Sequence, residues 1–430
     1  MKSFLSRFVY IYQRIKQSAD YPRQFWFLFW GMLISSAGVS MIWPFMTIYI
    51  RQKLGVPITA IGLMLSLNFI GGLVTGAIAG PAVDRFGRKG AMVLGLAIGS
   101  VVLMAMSMAG TLWLWVIVML VNGAFAPLYR IGSDAMIADL VEPDRRAGAY
   151  ALLRLSANAG IALGPSVGGF VATASYALAF YIAATAYFIF MLAILFFVVE
   201  TAPQRQALDQ LQVDTSYGPI LRDRSFLTFC AMYTLAVMAY SLIMVLLPVY
   251  SKENFGVPEN QYGFIMATNA AMVVLFQYSI TRVTKRYYHL SVLAIGSLFY
   301  ALGVGSVAWD WSFATFLLSM VILTIGEMIL VPTAITLTAN LAPADKRGRY
   351  MSIYHLAWGI AYGIGPVVGG ILNDKVAPVA IWYGGMVMGL VAALGFTLLA
   401  RKVQVTLAPQ QAYSEETKQF PGPISRTGGF

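Results

Sequence analysis

The chain has 430 residues, of which 59% are hydrophobic and only 11% charged, with a mean hydropathy of +0.73 and a formal net charge of +11. A soluble globule carries about 25% charged residues, so this composition excludes a water-soluble domain and describes a chain built for lipid. The basic balance does not point to nucleic acid either, because the cations are distributed over the breaks between long apolar runs.

Taken in order, residues 1–24 mix Phe4, Phe8, Ile11, Tyr12 and Ile15 with basic residues, which predicts an amphipathic helix lying on the cytoplasmic membrane surface. No unbroken apolar core precedes a small-residue cleavage site, which argues against a cleaved signal peptide. Six apolar runs follow, near 25–50, 58–82, 90–109, 112–138, 147–172 and 176–199. Each is close to the ~20 residues that a spanning helix needs. The first contains Trp43-Pro44-Phe45, and a proline inside a spanning helix predicts a kink. A polar linker, 200–224, leads to six more runs near 225–250, 260–281, 289–309, 312–337, 347–372 and 378–401. Residues 402–430, rich in Gln, Pro, Gly and Ser, predict a disordered tail.

The expected fold class is therefore an all-α membrane protein with twelve transmembrane helices. Of the 29 Lys and Arg residues, 23 lie at one alternate set of loops and ends, and four at the other. That asymmetry places both termini and the linker in the cytoplasm of an inner (plasma) membrane protein. The lone Cys230 falls in a span and has no partner for a disulfide framework.

The two sets of six are copies. Gly164-Pro165-Ser166-Val167-Gly168-Gly169 returns as Gly365-Pro366-Val367-Val368-Gly369-Gly370, a displacement of 201 residues. The same displacement carries Gly55, Pro57 and Gly62 to Gly256, Pro258 and Gly263, and Arg146 to Arg347. An offset that holds over several segments is the mark of duplication, with bundles at 25–199 and 225–401. Small residues let helices approach closely in lipid. The Gly-Pro-x-x-Gly-Gly runs therefore suit a sliding seam between bundles, against the plainer reading of tight packing.

Ionisable groups inside spans carry the most information, since a charge at the bilayer centre costs on the order of 2.5–3.5 kcal/mol and faces a partner or a cavity. Glu327 lies mid-span in Thr324-Ile325-Gly326-Glu327-Met328. Burial disfavours a carboxylate's charged form, which suits Glu327 to carrying a proton near neutral pH; a structural hydrogen bond is the alternative. Arg130 and Asp134 share one face of span four at i,i+4 and are expected to pair. If Arg130 faced the cavity instead, it would favour an anionic substrate. Arg154 and His355 occupy equivalent places in the repeat and are expected to face the cytoplasmic vestibule. Candidate cavity residues are Asn68, Asn122, Asn158, Tyr233, Tyr240, Asn269, Gln277, Tyr354, Trp358 and Tyr362. Tyr354, Trp358 and Tyr362 stripe one helix face, a pattern of packing that can also hold a cation or an aromatic body. The loop after span two, Gly80-Pro81-Ala82-Val83-Asp84-Arg85-Phe86-Gly87-Arg88-Lys89, packs an acid and three cations at a helix end, with Asp139 as the expected partner of Arg88 or Arg85. Such a cluster can latch one state of a two-state interface.

These motifs resemble those of the major facilitator superfamily, specifically its drug:proton antiporter branch with twelve spans. Gly80, Asp84, Arg85, Gly87, Arg88 and Lys89 fill its loop 2–3 signature, and the run from Gly160 through Gly164, Pro165, Gly168 and Gly169 fills its fifth-helix exporter signature. The resemblance implies two pseudo-symmetric six-helix bundles with alternating access to a site between them. The stretch around Glu327 also resembles multidrug exporters that carry an acid there. Met119 departs from the family: an arginine implicated in proton handling usually stands there, four residues before Gly123.

No metal spacing, phosphate cradle or nucleophile–base set is present in the sequence, so no cofactor and no enzyme activity is expected. Energy is expected from an ion gradient. The expected function is proton-coupled export of small lipophilic compounds by a monomer whose partners are its substrate, protons and the bilayer. Proton coupling is assigned to Glu327 and Asp134, and switching to the loop signature, Asp139 and the two Gly-Pro runs. Transport of a metabolite such as a sugar, amino acid or lysolipid, and a transporter-like membrane sensor, are the alternatives.

Overall fold

The computed structural model describes residues 21–201, 218–343 and 346–419, apart from the side chains of 77–82, 84–86, 143, 144, 147, 151, 219, 347, 348 and 403–419. The surface helix expected over 1–24 and most of the linker lie outside the described residues, as do the side chains of Asp84 and Arg85 and the surroundings of Gly80.

Twelve helices are long and apolar enough to cross a membrane, and there is no strand among the described residues. We number them α1 (Arg23–Leu54), α2 (Ile58–Phe86), α3 (Arg88–Met108), α4 (Leu112–Leu140), α5 (Pro143–Ala174) and α6 (Tyr176–Phe197). The second half supplies α7 (Arg224–Phe255), α8 (Glu259–Thr284), α9 (His289–Ser306), α10 (Phe313–Leu341), α11 (Arg347–Lys375) and α12 (Ala380–Gln419). Helix α1 tightens into a 3₁₀ turn over Trp43–Phe45, where the proline was expected to bend it. Helix α12 continues past Lys402 to Gln419, although its composition predicts a disordered tail there. From Gln410 to Gln419 seven of ten residues are Ala, Gln, Glu or Lys, good helix formers, and the helix runs through Pro409 before them.

The repeat is visible in the packing. Within the first half α1 packs on α5 and α6, α2 on α4, and α3 on α4 and α6. Adding six to each number gives the main partnerships of the second half: α7 with α11 and α12, α8 with α10, and α9 with α10 and α12. Two further pairs, α2 with α11 and α5 with α8, join the halves and are again related by adding six. Equivalent left-handed glycines, Gly55 at φ +63° and Gly256 at φ +67°, end α1 and α7. Large apolar side chains such as Val101, Trp113 and Phe196 stand exposed, as suits helices whose solvent is acyl chains.

The joins between halves show what the Gly-Pro runs do. A Cβ on Gly62 of α2 would lie 2.8 Å from the Pro366 carbonyl of α11, and one on Gly370 would lie 2.6 Å from the Thr59 backbone. In the other seam a Cβ on Gly169 of α5 would lie 2.6 Å from the Glu259 carbonyl of α8, and one on Gly263 would lie 2.9 Å from the Pro165 carbonyl. Gly164 and Gly168 instead face α1, while Gly365 and Gly369 face α7. Each motif therefore packs one glycine pair inside its own bundle and lays its proline and last glycine against the other bundle.

The two faces of the bundle differ. On the face opposite the basic loops the halves are tied together. Arg51 of α1 pairs with Glu253 of α7 at 3.0 Å, and Lys252 pairs with Glu259, which also accepts from the Tyr176 hydroxyl. Asp374 of α11 caps α2, accepting from Thr59 N at 2.8 Å, Thr59 Oγ1 at 2.7 Å and Ile58 N at 3.3 Å. The Thr47 hydroxyl donates to the Val245 carbonyl at 3.0 Å. Toward the basic face Arg130, Arg154, Asn158 and His355 are exposed.

Candidate transport site

The Gly326 position brings α10 against α9: a Cβ there would lie 2.9 Å from the Gly296 carbonyl. The next residue, Glu327, turns into the second bundle. Its Oε2 accepts from Asn269 Nδ2 of α8 at 2.8 Å. The same amide donates to Thr324 Oγ1 at 3.0 Å, and the Thr324 hydroxyl donates to the Met320 carbonyl at 2.7 Å. The Tyr240 hydroxyl of α7 lies within electrostatic range of Glu327. Tyr300 of α9 and Tyr362 of α11 lie within electrostatic range of the carboxylate.

An aromatic wall continues from the acid. The rings of Tyr240 and Tyr300 stack at 5.3 Å, Trp358 meets Tyr240 edge-on at 6.0 Å, and Trp358 stacks on Tyr362 at 5.9 Å. Trp358 Nε1 donates to the Tyr233 hydroxyl at 2.7 Å, and that hydroxyl lies 2.8 Å from the Tyr354 hydroxyl. Tyr233, Tyr240, Asn269, Glu327, Tyr354, Trp358 and Tyr362, all picked from sequence, are thus gathered in one half. Tyr300 belongs with them but carries no signal in the apolar run around it. It is fully buried, and its hydroxyl has no hydrogen-bond partner among the described residues.

The first half is arranged differently. Asn68, the repeat equivalent of Asn269, donates to the Met119 carbonyl of α4 at 3.1 Å, so its amide serves the α2–α4 crossing. Ala126 stands where the second half has Glu327. Arg130 and Asp134 interact electrostatically along α4. However, they form no ion pair or hydrogen bond with each other, contrary to the expectation from their spacing. Asp134 instead presents its backbone carbonyl to the Tyr150 hydroxyl, 2.7 Å away. Arg130 and Arg154 both lie within electrostatic range of His355.

At the basic face, Arg88 Nε pairs with Asp139 Oδ2 at 3.0 Å. Thr201 Oγ1 donates to the same oxygen at 3.0 Å. Glu200 accepts from the Arg88 and Lys89 amides, each at 3.0 Å, capping α3 just after Gly87 turns the chain at φ +86°. The carboxylate of Glu200 went unnoticed in the sequence, because an acid closing an apolar run reads as a solvated boundary.

A family model described as "Major Facilitator Superfamily" matches residues 28–234 and 229–426. The chain is 30% identical over 388 residues to the uncharacterized MFS-type transporter YttB of Bacillus subtilis (strain 168), covering 89% of this chain and 96% of that protein. It is 25% identical to the multidrug resistance protein MdtH of Yersinia enterocolitica, over 86% of this chain and 92% of that one. Its fold matches a crystal structure of the nucleoside transporter NupG with a TM-score of 0.75 at 15% identity, covering 88% of this chain and 100% of that chain. With twelve spanning helices in two repeated bundles, this chain belongs to the Major Facilitator Superfamily, a family of transporters and not of enzymes.

Proposed function

We propose that the protein is a proton-coupled exporter of small lipophilic compounds in the inner membrane, working by alternating access with both termini in the cytoplasm. The observation that carries this reading is Glu327, an acid placed mid-span against Asn269 and Tyr240 and walled by aromatic rings. The relationship to the multidrug resistance protein MdtH supports export. The basic face, where Arg130, Arg154, Asn158 and His355 are exposed, is the entry side in this conformation. Substrate settles against Tyr240, Trp358 and Tyr362 while Glu327 is ionised. After the halves rock, a proton arriving from outside neutralises Glu327 and the substrate leaves. Return of the proton to the cytoplasm resets the cavity. The test is efflux from vesicles under an imposed pH gradient. Glu327→Gln is expected to abolish gradient-driven efflux while leaving downhill exchange measurable; full gradient-driven efflux by this variant would remove the assignment.

A further inference from the structure

The seam holds a second set of groups that the acid pocket does not use. On α5, Arg154, Asn158, Ile161, Pro165 and Gly169 follow at helical spacing and form one stripe. The far end of that stripe meets α8, through Pro165 and Gly169. On α11, His355, Gly359, Tyr362, Pro366 and Gly370 form the corresponding stripe, which meets α2 at Phe69, Gly62 and Thr59. Arg154 and His355 therefore lie on the faces that the two halves turn toward each other, at the basic end, and both are exposed there. Arg130 of α4, also exposed, joins them electrostatically.

Among the described residues neither Arg130 nor Arg154 makes an ion pair or a hydrogen bond. Asp134 is the acid near Arg130, and it does not pair with it. A charge at membrane depth faces a partner or a water-filled cavity. A guanidinium is suited to a planar anion, which it can hold through two parallel hydrogen bonds. Seven residues of α11 separate His355 from Tyr362, the neighbour of Glu327. That spacing sets His355, which lies within electrostatic range of both arginines, about 10 Å along α11 from Tyr362.

We propose that the transported compound carries an anionic group, a carboxylate or one of similar geometry, that Arg154 and Arg130 bind while its aromatic or apolar body lies along Trp358 and Tyr362. This rests on the reading of the cavity as a substrate site, but not on proton coupling at Glu327. A compound with an amine at its far end places that amine at the acid, so the two ends of the cavity select opposite charges.

The test uses three naphthalenes of similar shape and different charge: naphthylacetate, naphthylacetamide and naphthylethylamine. Their affinities are measured on the purified full chain by thermal melting across a concentration series. Naphthylacetate is expected to bind about tenfold more tightly than the amide. Arg154→Gln and Arg130→Gln are each expected to erase most of that preference without changing the amide's affinity, and Arg154→Lys to keep part of it. Glu327→Gln is expected to leave the carboxylate preference intact, so failure of proton coupling and failure of anion binding read out separately. The proposal is overturned by equal or absent binding of the three compounds, by a preference that survives both Arg→Gln changes, or by an equal effect from sodium chloride, which would reduce the arginines to a site for solvent ions.

Discussion

At the scale of single residues, the polar side chains of α7 to α11 divide into those that meet Glu327 and those that hold the wall. Tyr240 does both, with its hydroxyl within electrostatic range of the acid and its ring against Tyr300 and Trp358. Tyr240→Phe keeps the ring and removes the polar hydroxyl near the acid, so transport is expected to persist with an altered pH profile, measured as efflux rate between pH 5 and 9. Trp358→Ala removes the stacking partner and the donor to Tyr233 and is expected to weaken substrate affinity roughly tenfold, as loss of ~1.4 kcal/mol would. A different acid governs stability outside the membrane. Asp310, buried in the turn between α9 and α10, accepts from Ser319 at 2.7 Å. Burial pushes its carboxyl up from the ordinary value to about 6, against the opposing hydrogen bonds from Ser319 and Thr315. The fold therefore favours the protonated form. Its contribution is complete below about pH 4, and it is lost as pH rises through about 6. Melting temperature is expected to fall over that window, and Asp310→Asn to flatten the fall; an unchanged pH profile in the variant would refute the assignment. Glu327 was legible because one acid within an apolar span is conspicuous. Tyr300 was not, because an aromatic residue in such a span looks like any packing residue until α7 is laid beside it.

Among elements, the two Gly-Pro runs were legible as a repeat, yet their division of labour was not. Sequence shows which glycines recur but not which neighbour each one meets. The contacts separate Gly164, which lies on α1 inside its bundle, from Gly370, which lies on α2 across the seam. Gly164→Val is expected to destabilise the bundle, by about 1–3 kcal/mol, and to lower the melting temperature. Gly370→Val is expected to spare the bundle and penalise the tied arrangement by a similar amount. That shifts the population away from this conformation roughly five- to 150-fold. Spin labels on the loops at Gly55 and Gly256 would report it as a longer distance. The α2–α3 turn gives the converse lesson. The pair between Arg88 and Asp139 followed from charge and position, whereas Glu200 entered only once α6 had brought its end beneath α3. Glu200→Ala is expected to cost about 1 kcal/mol through loss of the cap, read as a lower melting temperature.

For the molecule as a whole, the duplication has preserved mechanics and let chemistry diverge. Every main partnership of helices in one half recurs in the other, and the two seams are copies. The polar contents are not. Asn68 was read from sequence as a cavity residue alongside Asn269, and only the packing shows the first serving a helix crossing and the second an acid. Gly123, where the second half has Thr324, lets α4 close on the Asn68 backbone. The first half contributes the exposed Arg130 and Arg154, and the second carries the acid and the aromatic wall. The consequence is evolutionary. A descendant of this chain can acquire a new cargo by altering a handful of side chains on α4, α5 and α7 to α11, while the close helix contacts of the two seams stay as they are.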